Sequence, residues 1–326
     1  MMILLTGTSG FVGKALLTRL MSQSYFELIV MSRRPVLGLP ARVAQFQVAG
    51  IAVDTSWNAV LHGVDLVIHA AARVHVMNDE SSDPLAEFRK VNVEGTLNLA
   101  RQAAAAGVKR FIFVSSIKVN GEGTEPGTSY KADDAPGPVD PYAISKLEAE
   151  QGLQALAAAT GMEVVIIRPV LVYGPGVKAN FLSMMCWLNK GVPLPFGAIY
   201  NKRSLVALDN LVDLIVTCIE HPAAANQTFL VSDGEDLSTS ELLRKMAAAL
   251  DKPAWLLPLP CWILELGARL LGKQALAQRL CGSLQVDISK TRELLGWSPP
   301  VSVDQALRKT AEHFCSSAVG CDVASS

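Results

Sequence analysis

Tyr142 and Lys146 stand four residues apart in Tyr142-Ala143-Ile144-Ser145-Lys146, a stretch with helical spacing, so the phenol and the amine share one helix face. A free tyrosine titrates near ~10, too high for a base at neutral pH. An ammonium beside it lowers that value. A drop of ~3 units corresponds to about 4 kcal/mol of differential stabilisation of the phenolate, which a closed site can supply. Tyr-x-x-x-Lys is common by chance. Its weight here comes from standing 26 residues after Ser116, where Arg110–Ser116 reads as a buried strand ending in two hydroxyls, Ser115 and Ser116.

A second pattern opens the chain. Met2–Leu5 is a short apolar run, followed by Gly7, Gly10 and Gly13 and then by Lys14–Leu20 at helical spacing. Strand, glycine turn and helix start arrive in the order that a pyrophosphate-binding turn needs. Gly7 allows the tight turn, Gly10 lets backbone N–H groups of the Phe11-Val12 region approach an anion, and Gly13 lets the helix pack close to the strand. The spacing is G-x-x-G-x-x-G, and a ligand-free glycine-rich turn is the competing reading. Glu27–Met31 reads as the next strand and ends in Ser32-Arg33-Arg34-Pro35. An acid at that strand end would hold a ribose 2′-hydroxyl, whereas arginine favours a 2′-phosphate. Arg33 and Arg34 therefore favour NADP(H) over NAD, against the bland reading of two solvated arginines. An oxidised nicotinamide ring would add its positive charge to that of Lys146 beside the phenol.

The elements that must position these groups follow in order. Arg42–Val48 reads as a third strand and Val64–His69 as a fourth, followed by Ala70-Ala71-Ala72, small enough for close approach of a cofactor. His69 reads as a packed strand-end histidine rather than a catalyst. One long helix is expected from about Pro84 to Ala106, carrying Asn92. Gly121–Pro141 reads as a Gly/Pro/Asp-rich loop, mobile over the site, and Met162–Ile167 as a sixth strand after the Tyr142–Ala159 helix. This alternation predicts an α/β fold, a Rossmann-type doubly wound parallel sheet. After Arg168-Pro169 helices become short and strands isolated. The expected organisation is a dinucleotide-binding domain over 1–168, a smaller C-terminal substrate-binding lobe over 169–315 with one strand returning to the sheet, and a disordered tail over 316–326.

With 326 residues, half of them hydrophobic and 18% charged, the chain can bury a large core. A net charge of −1 without a basic run argues against nucleic acid as a partner. The six cysteines (186, 218, 261, 281, 315 and 321) have no zinc-ligand spacing, so no metal is expected and a reducing, cytoplasmic compartment is. Met2–Leu5 is too short for a signal peptide's apolar core, and no segment has 18 uninterrupted apolar residues. Trp255–Leu271 is apolar and amphipathic. Packing on the sheet lobe is favoured over contact with a membrane surface, because apolar helical faces usually bury.

Taken together the motifs resemble the extended short-chain dehydrogenase/reductases of the NAD-dependent epimerase/dehydratase family. The matching residues are Thr6–Gly13, His69–Ala72, Asn92–Thr96, Val114–Ser116, Tyr142 and Lys146, Arg168-Pro169, Val172–Gly176, Arg203–Asp209 and Leu295–Trp297. The resemblance implies Tyr142 as proton donor or acceptor, Lys146 on the nicotinamide ribose, and Ser116 hydrogen-bonded to the reacting oxygen. It implies Gly7, Gly10, Phe11, Val12, Gly13, Ala70, Ala71, Asn92 and Ser115 beside the cofactor, and Asn180, Arg203 and Arg279 at the substrate diphosphate. A homodimer is also implied. The departures narrow the chemistry. Ile117 and Lys118 replace the acidic pair that dehydratases use, which argues against 4,6-dehydration, and Asn120 stands where epimerases often carry tyrosine. Gly50-Ile51 replaces the acid that meets adenine.

Two enzyme readings remain, both at C4 of a nucleotide sugar. The arginine pair and the missing acid prefer a reductase using NADPH, and a resemblance to bacterial reductases implies its substrate: a UDP-4-keto-6-deoxy-N-acetylhexosamine, reduced to UDP-N-acetylquinovosamine or UDP-N-acetylfucosamine for surface polysaccharide such as O-antigen. The alternative is a UDP-glucose or UDP-N-acetylglucosamine 4-epimerase with tightly held NAD. A non-catalytic cofactor-sensing protein on the same fold is the reading of a different class, disfavoured because Tyr142 and Lys146 are both present.

Overall fold

A computed structural model describes residues 1–74, 83–270, 272 and 274–317. Seven parallel strands form the main sheet: β1 (Met2–Thr6), β2 (Glu27–Ser32), β3 (Val43–Gln47), β4 (Leu66–His69), β5 (Arg110–Val114), β6 (Glu163–Pro169) and β9 (Thr228–Val231). Their spatial order is β3-β2-β1-β4-β5-β6-β9. The order reverses between β1 and β4, which opens a crevice at the carboxyl ends of those strands. The α/β doubly wound sheet read from the sequence is present, and β9 is the later strand that returns to it.

The central strands are apolar on both faces because helices cover both. Ile3 and Leu5 of β1 join Ile68, Ile112 and Ile167 on one face, packed against α1 (Phe11–Met21) and α7 (Leu208–Glu220). Leu4 points the other way, with Val67, Phe111, Phe113 and Ile166, toward α4 (Thr96–Ala105) and α5 (Pro141–Thr160). The short α2 (Asn58–Leu61) closes the edge beside Trp57. α5 is specified at both ends: Asp140 caps it, accepting the Ala143 N–H at 2.7 Å, Pro141 opens it, and Gly161 closes it in the left-handed conformation.

The helix expected from Pro84 to Ala106 is interrupted. α3 (Pro84–Arg89) passes into a π-helical turn over Lys90–Gly95 and then into α4. Asp83 caps α3, and Gly95 lies so close to Ile51 that a Cβ there would meet its side chain at 2.7 Å.

The smaller lobe is less fragmented than expected. Its strands β7 (Leu171–Tyr173), β8 (Arg203–Ala207) and β10 (Asp236–Leu237) pair as a second sheet, order β10-β8-β7. Between them and after them come α6 (Ala179–Asn189), α8 (Thr239–Ala249), α9 (Cys261–Leu270), α10 (Gln274–Cys281), α11 (Ser289–Leu295) and α12 (Val303–Ser316). Its core is Tyr173, Phe181, Leu205, Leu243 and Leu307, and capping boxes at Ser238 and Ser302 start α8 and α12. The tail expected to be disordered lies, from residue 318 on, outside the described residues.

Two expectations are corrected. The Gly121–Pro141 loop is stitched down: Tyr130 exchanges backbone hydrogen bonds with Gln285 (2.9 Å) and Asp287 (2.8 Å), and the Thr124 N–H reaches Ser283 O at 2.9 Å. Of the Trp255–Leu271 segment, residues 255–270 do not pack on the main sheet, and Leu271 lies outside the described residues. Residues 255–260 are extended and bridge to 194–198, and the following α9 buries none of its residues. An amphipathic pattern fixes only that one face is apolar, not what covers it.

Candidate functional site

The glycine turn has the geometry its spacing demands. Gly7 is left-handed (φ +80°), and a Cβ there would stand 2.6 Å from Ala70 C and Ala71 N. A Cβ on Gly13 would come 2.1 Å from Gly7 O. The turn therefore needs glycine at both positions for backbone approach: strand end to strand end at Gly7, helix to turn at Gly13. Gly10 is exposed at the start of α1, with its N–H on Gly7 O at 2.9 Å and its carbonyl accepting the Lys14 N–H at 3.0 Å. No side chain caps this helix end, so the N–H groups of Phe11, Val12 and Gly13 face the crevice as a positive helix terminus. An open, uncapped first turn behind a glycine where no Cβ intrudes fits a dinucleotide pyrophosphate.

At the end of β2, Ser32 Oγ accepts from Gln45 Nε2 at 3.0 Å, while Arg33 and Arg34 are exposed beyond it. The strand end thus offers a neutral hydroxyl and two guanidinium groups. Asp54 is exposed, and the loop before it is held from below by Asn98, whose amide donates to Ala52 O at 3.0 Å and Thr55 O at 2.8 Å.

Beside the turn, β4 ends at His69, fully buried between two threonine hydroxyls: Nδ1 is 2.9 Å from Thr6 Oγ1 and Nε2 is 3.0 Å from Thr96 Oγ1. Burial, with the Lys146 charge adding to it, pushes its pKa down to about 3, so it is a neutral packing residue as expected. Asn92 lies in the π-helical turn and is also buried. Its Oδ1 accepts the Arg73 N–H at 2.8 Å, and its Nδ2 donates to Arg73 O and to Ser145 Oγ, both at 3.0 Å. Both amide N–H groups are engaged, so Asn92 clamps the wall between the β4 extension and α5 rather than reaching into the crevice.

Tyr142 and Lys146 come together as their spacing predicts. The Lys146 ammonium lies 6.0 Å from the Tyr142 ring centroid and 4.4 Å from that of Phe113, and it donates to Val114 O at 2.8 Å. Electrostatically the pair differs from the sequence expectation. Burial, with Asp140 adding its negative charge, pushes the Tyr142 phenol above its ordinary value instead of below it. Burial also pushes Lys146 down to about 7, partly offset by Glu150. Desolvation outweighs the ammonium because the two groups do not touch and the phenol is packed against Phe88. In this state Tyr142 holds its proton, and Phe88 packs edge-on against its ring at 5.9 Å between centroids.

Ser116, partly exposed at the end of β5, accepts the Lys118 N–H at 3.2 Å. Ser115, expected beside the cofactor, instead turns its hydroxyl into the protein onto Glu150. Glu150 is in turn ion-paired to Arg168 at 2.6 Å, and Arg168 donates to Asn120 Oδ1 at 3.0 Å. This buried network behind the site escaped the sequence reading. One signal was available: Glu150 follows Lys146 by four residues on the same helix, and Arg168 belongs to a quoted motif. Lys118, where dehydratases carry an acid, is ion-paired to Asp140 and, at 3.1 Å, to Glu122.

Of the expected diphosphate contacts, Arg203 opens β8 and Arg279 ends α10, and the two meet: Arg203 Nη1 donates to the carbonyls of Arg279 and Gly282, both at 3.0 Å. Burial and the neighbouring Arg279 charge push Arg203 below its ordinary value. Asn180 lies in the exposed first turn of α6. Among the described residues no cluster of His, Cys, Asp and Glu could hold a metal ion.

The family model of the NAD-dependent epimerase/dehydratases matches residues 3–232. A UDP-glucose 4-epimerase of Vibrio cholerae is 53% identical over 313 residues, 96% of this chain and 95% of that one. The N-acetyl-α-D-glucosaminyl-diphospho-ditrans,octacis-undecaprenol 4-epimerase of Escherichia coli O157:H7 is 26% identical over 326 residues, 95% of this chain and 94% of its own. Among solved structures, the UDP-glucuronic acid 4-epimerase of Bacillus cereus in complex with NAD superposes with a TM-score of 0.77 at 21% identity, covering 97% of this chain and 99% of that one, which is a likeness of fold.

Proposed function

The chain belongs to the NAD-dependent epimerase/dehydratase family, and on that premise we propose that it transfers hydride at C4 of a nucleotide-activated hexose, in the net direction of 4-keto-sugar reduction by NADPH. The observation that carries the direction is the end of β2, where Ser32 stands in the acid's place and Arg33 and Arg34 reach into solvent. Guanidinium groups there match a 2′-phosphate.

A nicotinamide held at the glycine turn would supply the hydride. The residues of this chain do the rest. Tyr142 donates the proton to the C4 oxygen as the ketone becomes an alcohol, and its raised pKa keeps that proton in place until then. Ser116 hydrogen-bonds the same oxygen and orients it. Lys146 holds the cofactor ribose and stabilises the phenolate left after donation. Arg203 and Arg279 hold the diphosphate, and Asn180 contacts it from α6. Ala70 and Ala71 line the crevice beside the glycine turn.

A second reading is favoured by a specific observation: the Vibrio cholerae relative, more than half identical along nearly all of both chains, is a UDP-glucose 4-epimerase. The two relatives' names agree on position 4 of a hexosyl diphosphate and differ in what the diphosphate carries.

The purified protein distinguishes the readings. Reduction predicts NADPH oxidation only when a UDP-4-keto-6-deoxy-N-acetylhexosamine is added, and an Arg33→Ala/Arg34→Ala variant with its NADPH preference lost. Interconversion of UDP-GlcNAc and UDP-GalNAc, with NAD retained through purification and no net cofactor change, would replace reduction by epimerisation. Tyr142→Phe should abolish either turnover, a loss of about 10²–10⁴-fold, while cofactor still binds.

A further inference from the structure

The apolar surface around α9 has no role in the chemistry above. It combines Trp255 (61% exposed), Leu257, Trp262 (65%), Leu266 and Leu270 (80%), with Tyr200 (83%) nearby in sequence to the strip it rests on. Within α9, Trp262, Ile263, Leu266 and Leu270 follow the spacing of one helix face. The patch is built firmly. Leu194 N donates to Trp255 O at 2.8 Å, Leu257 N to Leu194 O at 2.8 Å, and Gly197 N to Leu257 O at 2.9 Å. At its other end α10 is fixed to the substrate lobe: Asn201 Nδ2 donates to Leu280 O (3.2 Å) and Gly282 O (2.7 Å), and Thr239 Oγ1 to Leu280 O (2.6 Å).

We propose that this face docks on an anionic lipid surface. Charge selects the occupant. Between Asp251 and Gly282 the described bases Lys252, Arg269 and Arg279 stand against two acids (Asp251 and Glu265), in a chain whose net charge is −1. Exposed tryptophan with leucine on one helix face and basic residues at its margin is the composition of an element that lies in the headgroup region. Among the described residues no helix is long and apolar enough to cross a membrane, so the contact is peripheral. The face is continuous with the site through Arg279, whose carbonyl Arg203 holds. Docking therefore brings the arginine pair close to the lipid surface, within reach of a diphosphate carried by a lipid.

The test is sedimentation of the full-length protein with phosphatidylcholine vesicles, with and without phosphatidylglycerol, at low and high salt. The wild type should pellet with the anionic vesicles, and salt should release most of it. Trp262→Ala/Leu266→Glu, on exposed positions outside the chemistry, should weaken vesicle binding by at least about tenfold and leave turnover of a soluble substrate unchanged. The proposal is overturned if the wild type stays in the supernatant with both vesicles, or if the double variant binds as well as the wild type. It is equally overturned if the variant's only effect is to turn a dimer into a monomer in sedimentation velocity, which would assign the face to a second copy.

Discussion

Replacing Lys146 by methionine should make the protein more stable while removing its activity. Lys146 is one of the largest fully buried side chains, 2% exposed among Phe113, Val114 and His69, and burial brings its pKa to about 7. In the unfolded chain it titrates near ~10.4, so at neutral pH the folded state carries a standing penalty of about 4 kcal/mol, at 1.36 kcal/mol per unit. Methionine has similar length and no charge to desolvate, but it leaves Val114 O without its donor at 2.8 Å, a loss of about 1–3 kcal/mol. The net expectation is a gain of roughly 2 kcal/mol, or about 3 °C in melting temperature for a chain of 326 residues. The sign with pH is definite. A lysine whose folded pKa is depressed destabilises fully below about 7, and stability returns as pH rises from there toward ~10.4, because only the unfolded chain binds the proton in that window. From pH 7 to about 9.5 the wild type should therefore gain about 3 kcal/mol on the variant, measured by urea unfolding of cofactor-free protein at each pH. Other groups around the amine do not mimic this. His69 changes charge near 3, its contribution present above ~6.5 and lost as pH falls, and Tyr142, raised above its usual range, acts only above ~10. If Lys146→Met melts lower than the wild type, or if the two stability curves run parallel between pH 7 and about 9.5, the cost of drying the Lys146 charge does not outweigh its hydrogen bond.

Three further outcomes follow from the geometry. Gly13→Ala places a Cβ 2.1 Å from Gly7 O and should lower stability by about 3 kcal/mol or more, whereas Gly10→Ala, at 3.2 Å, should fold normally but weaken cofactor binding at least about tenfold; chemical unfolding and cofactor titration separate the two. Glu150→Gln strands the buried Arg168 guanidinium and should cost about 3–5 kcal/mol in chemical unfolding, far more than an exposed pair such as Lys202–Glu241. Asp140→Asn keeps a helix cap but removes the negative charge that helps hold the Tyr142 proton. The basic limb of the kcat/KM profile should move down by up to about one pH unit, and an unmoved limb would mean that Asp140 is screened by Lys118.

The parts of the site that were legible in the sequence are those encoded locally. Three glycines after an apolar run specify a turn by steric exclusion, and Tyr142 and Lys146 share a face because a helix has 3.6 residues per turn. The π-helical turn at Lys90–Gly95 was not legible, because one inserted residue per turn leaves the apolar pattern of the surrounding helix nearly unchanged. Glu150, Arg168, Ser115 and Asn120 converge from three elements far apart in the chain, so only the folded sheet brings them together. The exposure of α9 was misjudged because amphipathicity describes a helix and not its neighbour.

The direction of the Tyr142 shift bears on which reaction this site favours. Charge proximity read from a four-residue spacing suggests a lowered phenol, ready to accept a proton from an alcohol. Burial reverses that, since the Lys146 ammonium bonds to Val114 O rather than to the phenol and is itself close to losing its proton near neutral pH. A protonated phenol is the form from which reduction starts, whereas oxidation of an alcohol starts from the phenolate. Either reaction needs the ammonium charged when the phenolate forms. Glu150, one turn further along α5 and itself locked to Arg168, supplies only a partial counterweight. The same burial that destabilises the folded chain through Lys146 thus leaves the resting phenol protonated, the starting form for the reduction proposed above.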